Sequence, residues 1–270
     1  MAECIVVTSG KGGVGKTTTS ANLAAGLALT GKRVVVVDAD IGLRNLDVIL
    51  GLENRIVYDL VQVIEGECRL KQALIRDKRV EGLYLLPAAQ TRDKNAVRPD
   101  DMRKLVDDLK VDHDIIIIDC PAGIEQGFKN SIAGADRALV VTTPEVSAIR
   151  DADRIIGMVE AHDLPEPELI INRYRAGMVQ RGDMMNREDI LEILAIPLLG
   201  IVPESEDIVI SANRGQPVVF DEQSIVGAAY RRITQRVLGE QLDVPTFEED
   251  PGIWSVMMRW MGLAPAREAM

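Results

Sequence analysis

The densest chemistry in this sequence lies at Gly10-Lys11-Gly12-Gly13-Val14-Gly15-Lys16-Thr17, followed by Thr18. The spacing is G-x-x-x-x-G-K-[ST], set between an apolar strand-like run and a helix-like one, which is the context a phosphate loop requires. Glycines let the backbone wrap so tightly that successive N–H groups point at one anion. The helix that follows turns its positive N-terminal end toward the same charge. Lys16 is placed to reach the β- and γ-phosphates, and the Thr17 hydroxyl takes a Mg²⁺ position. These residues predict a P-loop ATPase that binds ATP with Mg²⁺ through Gly10–Thr18.

Lys11 is an extra cation inside that loop. Its stem starts too near the beginning of the loop to fold back easily onto its own γ-phosphate. Either it is a solvated loop lysine, or it crosses a dimer interface and neutralises the partner's nucleotide, as an arginine finger does. Two carboxylates downstream have the chemistry to complete the site. Val34–Val37 ends in Asp38-Ala39-Asp40, and ligands sit at strand C-terminal ends in open α/β sheets. Asp40 is either a turn or cap residue or the group that positions the attacking water. Ile115–Ile118 ends in Asp119, followed by Cys120-Pro121-Ala122-Gly123. An acid there holds Mg²⁺ through its water, in the manner of a Walker B residue. The Gly123 N–H is a candidate donor to the γ-phosphate, free to move when that phosphate leaves.

The elements that must position these groups alternate between apolar runs and amphipathic stretches. Strand-like runs cover Cys4–Thr8, Arg33–Asp38, Leu83–Pro87, Asp114–Asp119, Ala138–Thr142, Glu168–Asn172 and Leu198–Val202. Consecutive Val and Ile mark strands covered on both faces, hence a mostly parallel sheet. Helix-like stretches cover Lys16–Thr30, Pro99–Lys110, Ile124–Gly134, Val146–Ala161, Arg187–Leu194 and Ser224–Leu238. The alternation predicts an α/β, doubly wound architecture with helices on both faces. Residues 1–239 form the ATPase domain on this reading. Glu240–Asp250, with five acids and no base, reads as a linker to a tail over residues 251–270.

Composition removes several function classes. A net charge of −11 argues against a broad nucleic-acid footprint, which needs clustered Lys and Arg. No run of eighteen uncharged apolar residues exists to cross a membrane, and the N-terminus has no basic and apolar stretch of the secretory kind. Cys4, Cys68 and Cys120 lack metal-ligand spacing and read as reduced packing residues of a cytosolic protein. The tail is different. In Ile253–Ala264, Ser255, Arg259 and Gly262 share one narrow sector of a helix, and apolar residues cover the rest. Trp254 and Trp260 are the protein's only tryptophans, and tryptophan favours a membrane interface. Ile253, Trp254, Met257, Trp260 and Met261 are the candidate membrane contacts. Docking of the same helix on the protein's own core or in an oligomer interface is the other reading. Only Arg259 lies on its polar face, whereas interfacial helices are usually basic there, so apolar insertion dominates over attraction to anionic lipid.

Taken together, Gly10–Thr18 with Lys11, Asp38–Asp47 and Asp119–Gly123 resemble the deviant-Walker-A ATPases of the MinD/ParA family, and within it the branch that places the bacterial division site. Gln90–Lys94, Pro144–Ser147 with Arg150–Arg154, and Arg181–Met184 extend the likeness over almost the whole chain. The resemblance implies that Lys11 acts in trans across an ATP-sandwich homodimer, and that Lys16 and Thr17 hold phosphate and Mg²⁺. It places Asp40 in switch I, supporting water attack and serving Mg²⁺ with Thr17 and Asp119, partly through water, and Asp119 in switch II. It has Asn172, at the end of the sixth strand-like run, read the adenine, with Pro203 and Glu204 nearby. It makes Asp151 and Asp153 a surface for the division inhibitor MinC and the activator MinE, where the residues alone read as a solvated helix start. It makes the tail a membrane-targeting helix and the protein cytoplasmic, peripheral on the inner leaflet of the cell membrane. Two relatives of that fold are the competing readings: a ParA-type DNA-partition ATPase, against which the charge and the Trp-bearing tail speak, and a nitrogenase iron-protein relative, which needs a cysteine pair the sequence lacks. A nucleotide-gated scaffold without catalysis is a third.

Overall fold

The computed structural model describes residues 2–90, 92, 96–162 and 164–245. The expected tail and residues 246–250 of the expected linker therefore lie outside the described residues. The strands are β1 (Glu3–Thr8), β2 (Val34–Asp38), β3 (Ile75–Arg76), β4 (Leu83–Leu86), β5 (Ile115–Asp119), β6 (Arg137–Thr142), β7 (Glu168–Tyr174) and β8 (Leu198–Pro203). They form one eight-stranded sheet in the order β3-β4-β2-β5-β1-β6-β7-β8. Every pairing is parallel except that of β3 with β4.

The predicted doubly wound α/β class holds, and the Val- and Ile-rich runs show why. Along β2, Val34 and Val36 join one buried cluster while Val35 and Val37 join the other. Successive side chains of a strand point to opposite faces, so a strand without polar residues demands cover on both sides. On one face that cover is α1 (Lys16–Leu29) and α11 (Ile225–Val237). On the other it includes α5 (Pro99–Lys110), α6 (Gln126–Ile132), α7 (Val146–Glu160) and α9 (Arg187–Leu194).

Several elements were not foreseen. They are β3 and the short helices α2 (Leu46–Ile49), α3 (Leu60–Ile64), α4 (Leu70–Ala73), α8 (Ala176–Gln180) and α10 (Asp207–Asn213). Because β3 exists, Asn172 lies in the seventh strand rather than the sixth. Beyond α11 the chain turns back along that helix: Arg236 donates to the Leu242 carbonyl and Arg232 to that of Asp243. Among the described residues no helix is long and apolar enough to cross a membrane.

Candidate nucleotide site

The topology brings the chemistry to one edge of the sheet. β1 lies between β5 and β6, and the strands to either side of it run parallel. The loops leaving β1, β2, β5 and β7 therefore emerge on the same side. Residues 9–15 leave β1 there and end at Gly15, whose φ of +97° opens α1 without any side-chain cap. A left-handed residue at that point is natural for glycine alone. The uncapped first turn of α1 leaves its N–H groups directed outward, which is the anion site expected from the motif. Gly10 is required for a different reason: a Cβ there would lie 2.1 Å from the Asp151 carbonyl oxygen, so the loop rests directly on the backbone of α7.

Lys16 is buried to 8% exposure at the start of α1. Asp119 is more deeply enclosed at the end of β5, and Ser20 Oγ, one turn further along α1 than Lys16, donates to its carboxylate at 2.8 Å. Burial pushes the Asp119 carboxyl above the ordinary range, opposed by a hydrogen bond from Thr17, the Lys16 charge and the bond from Ser20. Thr17 and Asp119 thus lie close enough for the hydroxyl to favour the charged carboxylate, where the sequence expected both to serve one Mg²⁺. Asp38 stands level with Asp119 in the β2–β5 register. It is buried, and its carboxylate accepts the backbone N–H of Asp40 at 3.0 Å and of Leu46 at 3.4 Å. Burial raises its pKa first, and the charge of Asp119 adds to the rise. Asp40 is less buried than either, and its charge is felt by both. The acids expected at two strand ends are therefore brought together, with Asp38 as the member that anchors the turn carrying Asp40.

Asp38 and Ser20 were missed as site residues. Asp38 had a signal, since it ends an all-apolar strand; Ser20 had a weaker one, its spacing from Lys16 and Thr17 on one helical face. Hard oxygen donors suit Mg²⁺, and among the described residues no cluster of three or more His, Cys, Asp or Glu would hold a metal alone. The Thr17 hydroxyl and Asp119 fit an ion that takes its other ligands from phosphate and water. Gly123, with φ +91°, gives its N–H to the Ser9 carbonyl at 3.3 Å, which ties the β5 loop to the phosphate loop.

Lys11 reaches from its loop to the start of α7. Its Nζ lies 3.2 Å from Ser147 Oγ and 3.5 Å from Glu145 Oε2 at the start of α7. The same helix carries Asp151, beside Gly10, and the exposed Asp153. Asn172 is buried at the end of β7 and its Nδ2 donates to the Val14 carbonyl at 2.7 Å. Glu204, after Pro203 at the end of β8, faces Arg173 and Arg175 at 3.9 and 3.7 Å. These three line an open cleft of about 720 Å³ together with Thr143–Val146 and Met178. Cys120 is enclosed behind β5, and burial pushes its thiol up to about 11, the opposite of what a cluster-ligating thiolate needs.

Comparison with known proteins gives a consistent result. The family model of the CobQ/CobB/MinD/ParA nucleotide binding domain matches residues 5–218. The septum site-determining protein MinD of Bacillus subtilis is 55% identical over 251 residues, covering 92% of this chain and 94% of that one. Among solved structures, the MinC:MinD cell division protein complex of Aquifex aeolicus aligns at 47% identity and a TM-score of 0.85, covering 91% of this chain and 99% of that chain. MinD of Pyrococcus horikoshii, complexed with Mg-ADP, aligns at 29% identity and a TM-score of 0.80, covering 88% and 96%.

Proposed function

This chain belongs to the CobQ/CobB/MinD/ParA nucleotide-binding family, and from that premise we propose that it is a Mg²⁺-dependent ATPase that positions the cell-division site by cycling on and off the membrane as an ATP-bound dimer. The division role is that of its relatives, the septum site-determining proteins, which match over nearly the full chain. ParA-type DNA partition is not favoured, given that identity and a net charge of −11.

The observation that carries the ATPase reading is the convergence of Lys16, Thr17, Asp119 and Asp40 around the mouth of one phosphate loop. Lys16 binds the β- and γ-phosphates, Thr17 and Asp119 hold Mg²⁺, and Asp40 orients the attacking water from a turn that Asp38 fixes. Mg²⁺, when bound, neutralises charge between the β- and γ-phosphates. Lys11 is available to a partner subunit, because its side chain is 44% exposed and is held by a hydrogen bond and an ion pair near the surface, to Ser147 and Glu145 of its own chain. Asn172, Pro203 and Glu204 serve the base side. A MinC-type division inhibitor docks around Asp151 and Asp153 on α7, beside Gly10, where a loop that changes with nucleotide is felt by the partner. A MinE-type activator at the same surface speeds hydrolysis. Tail residues 251–270 insert Ile253, Trp254, Met257, Trp260 and Met261 into the inner leaflet. One short helix binds reversibly, and two on one dimer gain roughly 10²–10⁴ in avidity. Loss of the γ-phosphate parts the dimer and releases both.

Liposome co-sedimentation tests the cycle. The full chain is expected to pellet with vesicles in ATP and to stay in the supernatant in ADP. Deleting residues 251–270 is expected to remove pelleting while ATP binding persists. Equal pelleting in the two nucleotides overturns the cycle. Lys11→Ala is expected to remain a folded monomer in ATP by light scattering, and a normal ATP-dependent dimer overturns the trans role.

A further inference from the structure

Strand β7 meets the phosphate loop through one side chain, and the contact has a direction. Asn172 Nδ2 donates to the Val14 carbonyl at 2.7 Å, across 158 residues of sequence. Asn172 is 7% exposed and Val14 4%, so the bond is shielded from water. A carbonyl only accepts, so the amide nitrogen must face it and the amide oxygen must face elsewhere. Gly15 sits directly against the same amide: a Cβ on it would lie 2.2 Å from Asn172 Nδ2. Glycine at position 15 is thus required twice, by its φ of +97° and by the asparagine that occupies the space a side chain would need.

The held carbonyl belongs to the Val14–Gly15 peptide unit, whose other end is the Gly15 N–H. The described chain has no cis peptide bond. In a planar trans peptide the C=O and N–H point in opposite directions. Fixing the Val14 carbonyl toward β7 therefore fixes the Gly15 N–H away from β7. That N–H stands immediately before Lys16, on the side where a phosphate would be cradled.

We propose that Asn172 is a positioning residue for the phosphate loop, which sets the Val14–Gly15 peptide so that the Gly15 N–H faces the β-phosphate. This rests on the nucleotide-binding reading above and deepens it. A pure base reader acts only on ligands that carry a base. A loop clamp acts on the diphosphate itself. The remaining amide oxygen is left to accept from the ligand, so base contact and phosphate contact are joined through one side chain.

The test is calorimetric titration of the full chain with Mg·ADP and, separately, with Mg·pyrophosphate, comparing wild type, Asn172→Ala and Asn172→Asp. The clamp predicts that Asn172→Ala weakens pyrophosphate about tenfold, for one buried hydrogen bond, and ADP by at least that factor, since the base contact is lost as well. Asn172→Asp keeps the shape but turns a carboxylate oxygen toward the Val14 carbonyl, and is expected to weaken both further. In amide NMR of the nucleotide-free protein, the Gly15 resonance is expected to move in both variants while signals from β2 and β4 stay in place. If Asn172→Ala does not fold, the isosteric Asn172→Asp carries the comparison. Weakened ADP with unchanged pyrophosphate overturns the clamp and leaves a base reader. Unchanged affinity for both ligands also overturns it. Wild-type protein that binds neither ligand sinks the nucleotide reading, and the clamp with it.

Discussion

The two halves of the nucleotide site are built on different principles. The phosphate half lies at the centre of the sheet, where β1, β2 and β5 pair without a break in register. Its side chains Lys16, Ser20, Asp38 and Asp119 are buried; Ser20 donates to Asp119, Asp38 accepts from nearby backbone, and the Lys16 charge acts on Asp119. The proposed base half lies toward the β8 edge, where the β7–β8 ladder shifts register twice. There Arg173, Arg175 and Glu204 face an open cleft and meet only in long ion pairs. Enclosed charges interact strongly and tolerate no misplacement, whereas exposed ones are screened. On the proposed assignment, buried contacts are concentrated where phosphate charge is to be met, and exposed ones at the base end.

Substitutions at the two ends should therefore differ by more than tenfold in effect. Lys16→Ala removes the buried cation from the loop and is expected to weaken ADP binding by roughly 10²-fold, the value of a charge-assisted contact in a shielded site. Glu204→Gln, in the exposed base half, is expected to change it by no more than about threefold. Calorimetry on both variants checks the contrast, and a Glu204 effect equal to that of Lys16 breaks it. Ser20→Ala is the intermediate case. It leaves the buried Asp119 without the Ser20 hydroxyl while that of Thr17, earlier in the same helix, remains. Stability without nucleotide should fall by about 1–2 kcal/mol, seen as a loss of a few degrees in Tm. ATP turnover should fall several-fold, with Ser20→Thr closer to wild type than Ser20→Ala. A variant with full turnover would show that Thr17 alone suffices to hold Asp119.

The same contrast explains what could be read in the sequence. The phosphate loop was legible because eight consecutive residues carry their own context of strand and helix. Asp119 was legible because four isoleucines announce the strand it ends. Among the described residues, every strand but β3 and every helix of eight residues or more were visible, since two-sided burial and amphipathic periodicity leave marks over such runs. The pair Ile75–Arg76 and helices such as Leu46–Ile49 and Leu70–Ala73 are too short to show a period. One of these had a signal that went unused: Asp59 and Gln62 form a reciprocal capping box at the start of α3, a D-x-x-Q pattern visible in the sequence. The bonds from Asn172 to Val14 and from Ser20 to Asp119 span 158 and 99 residues. No local pattern encodes them, because they exist only once β5 and β7 flank the loop.

The smallest effect is also the sharpest probe of the comparison, because one backbone feature occurs in both halves. Gly15 and Arg173 both adopt positive φ, +97° and +55°. At Gly15 the space beside the backbone is filled by Asn172, so Gly15→Ala adds both strain and a collision, and nucleotide binding should be lost. At Arg173 the side chain stands in solvent at the rim of the cleft, and its left-handed backbone costs about 1–2 kcal/mol. Arg173→Gly removes that cost but also loosens the unfolded chain and surrenders a long ion pair to Glu204. The opposing terms leave a gain of at most about 1 kcal/mol in stability, with ADP affinity within about threefold of wild type. Denaturant midpoints for the pair of variants measure this. A clear loss of stability in Arg173→Gly would mean that the arginine holds the end of β7 in place, and that the base half is as tightly built as the phosphate half.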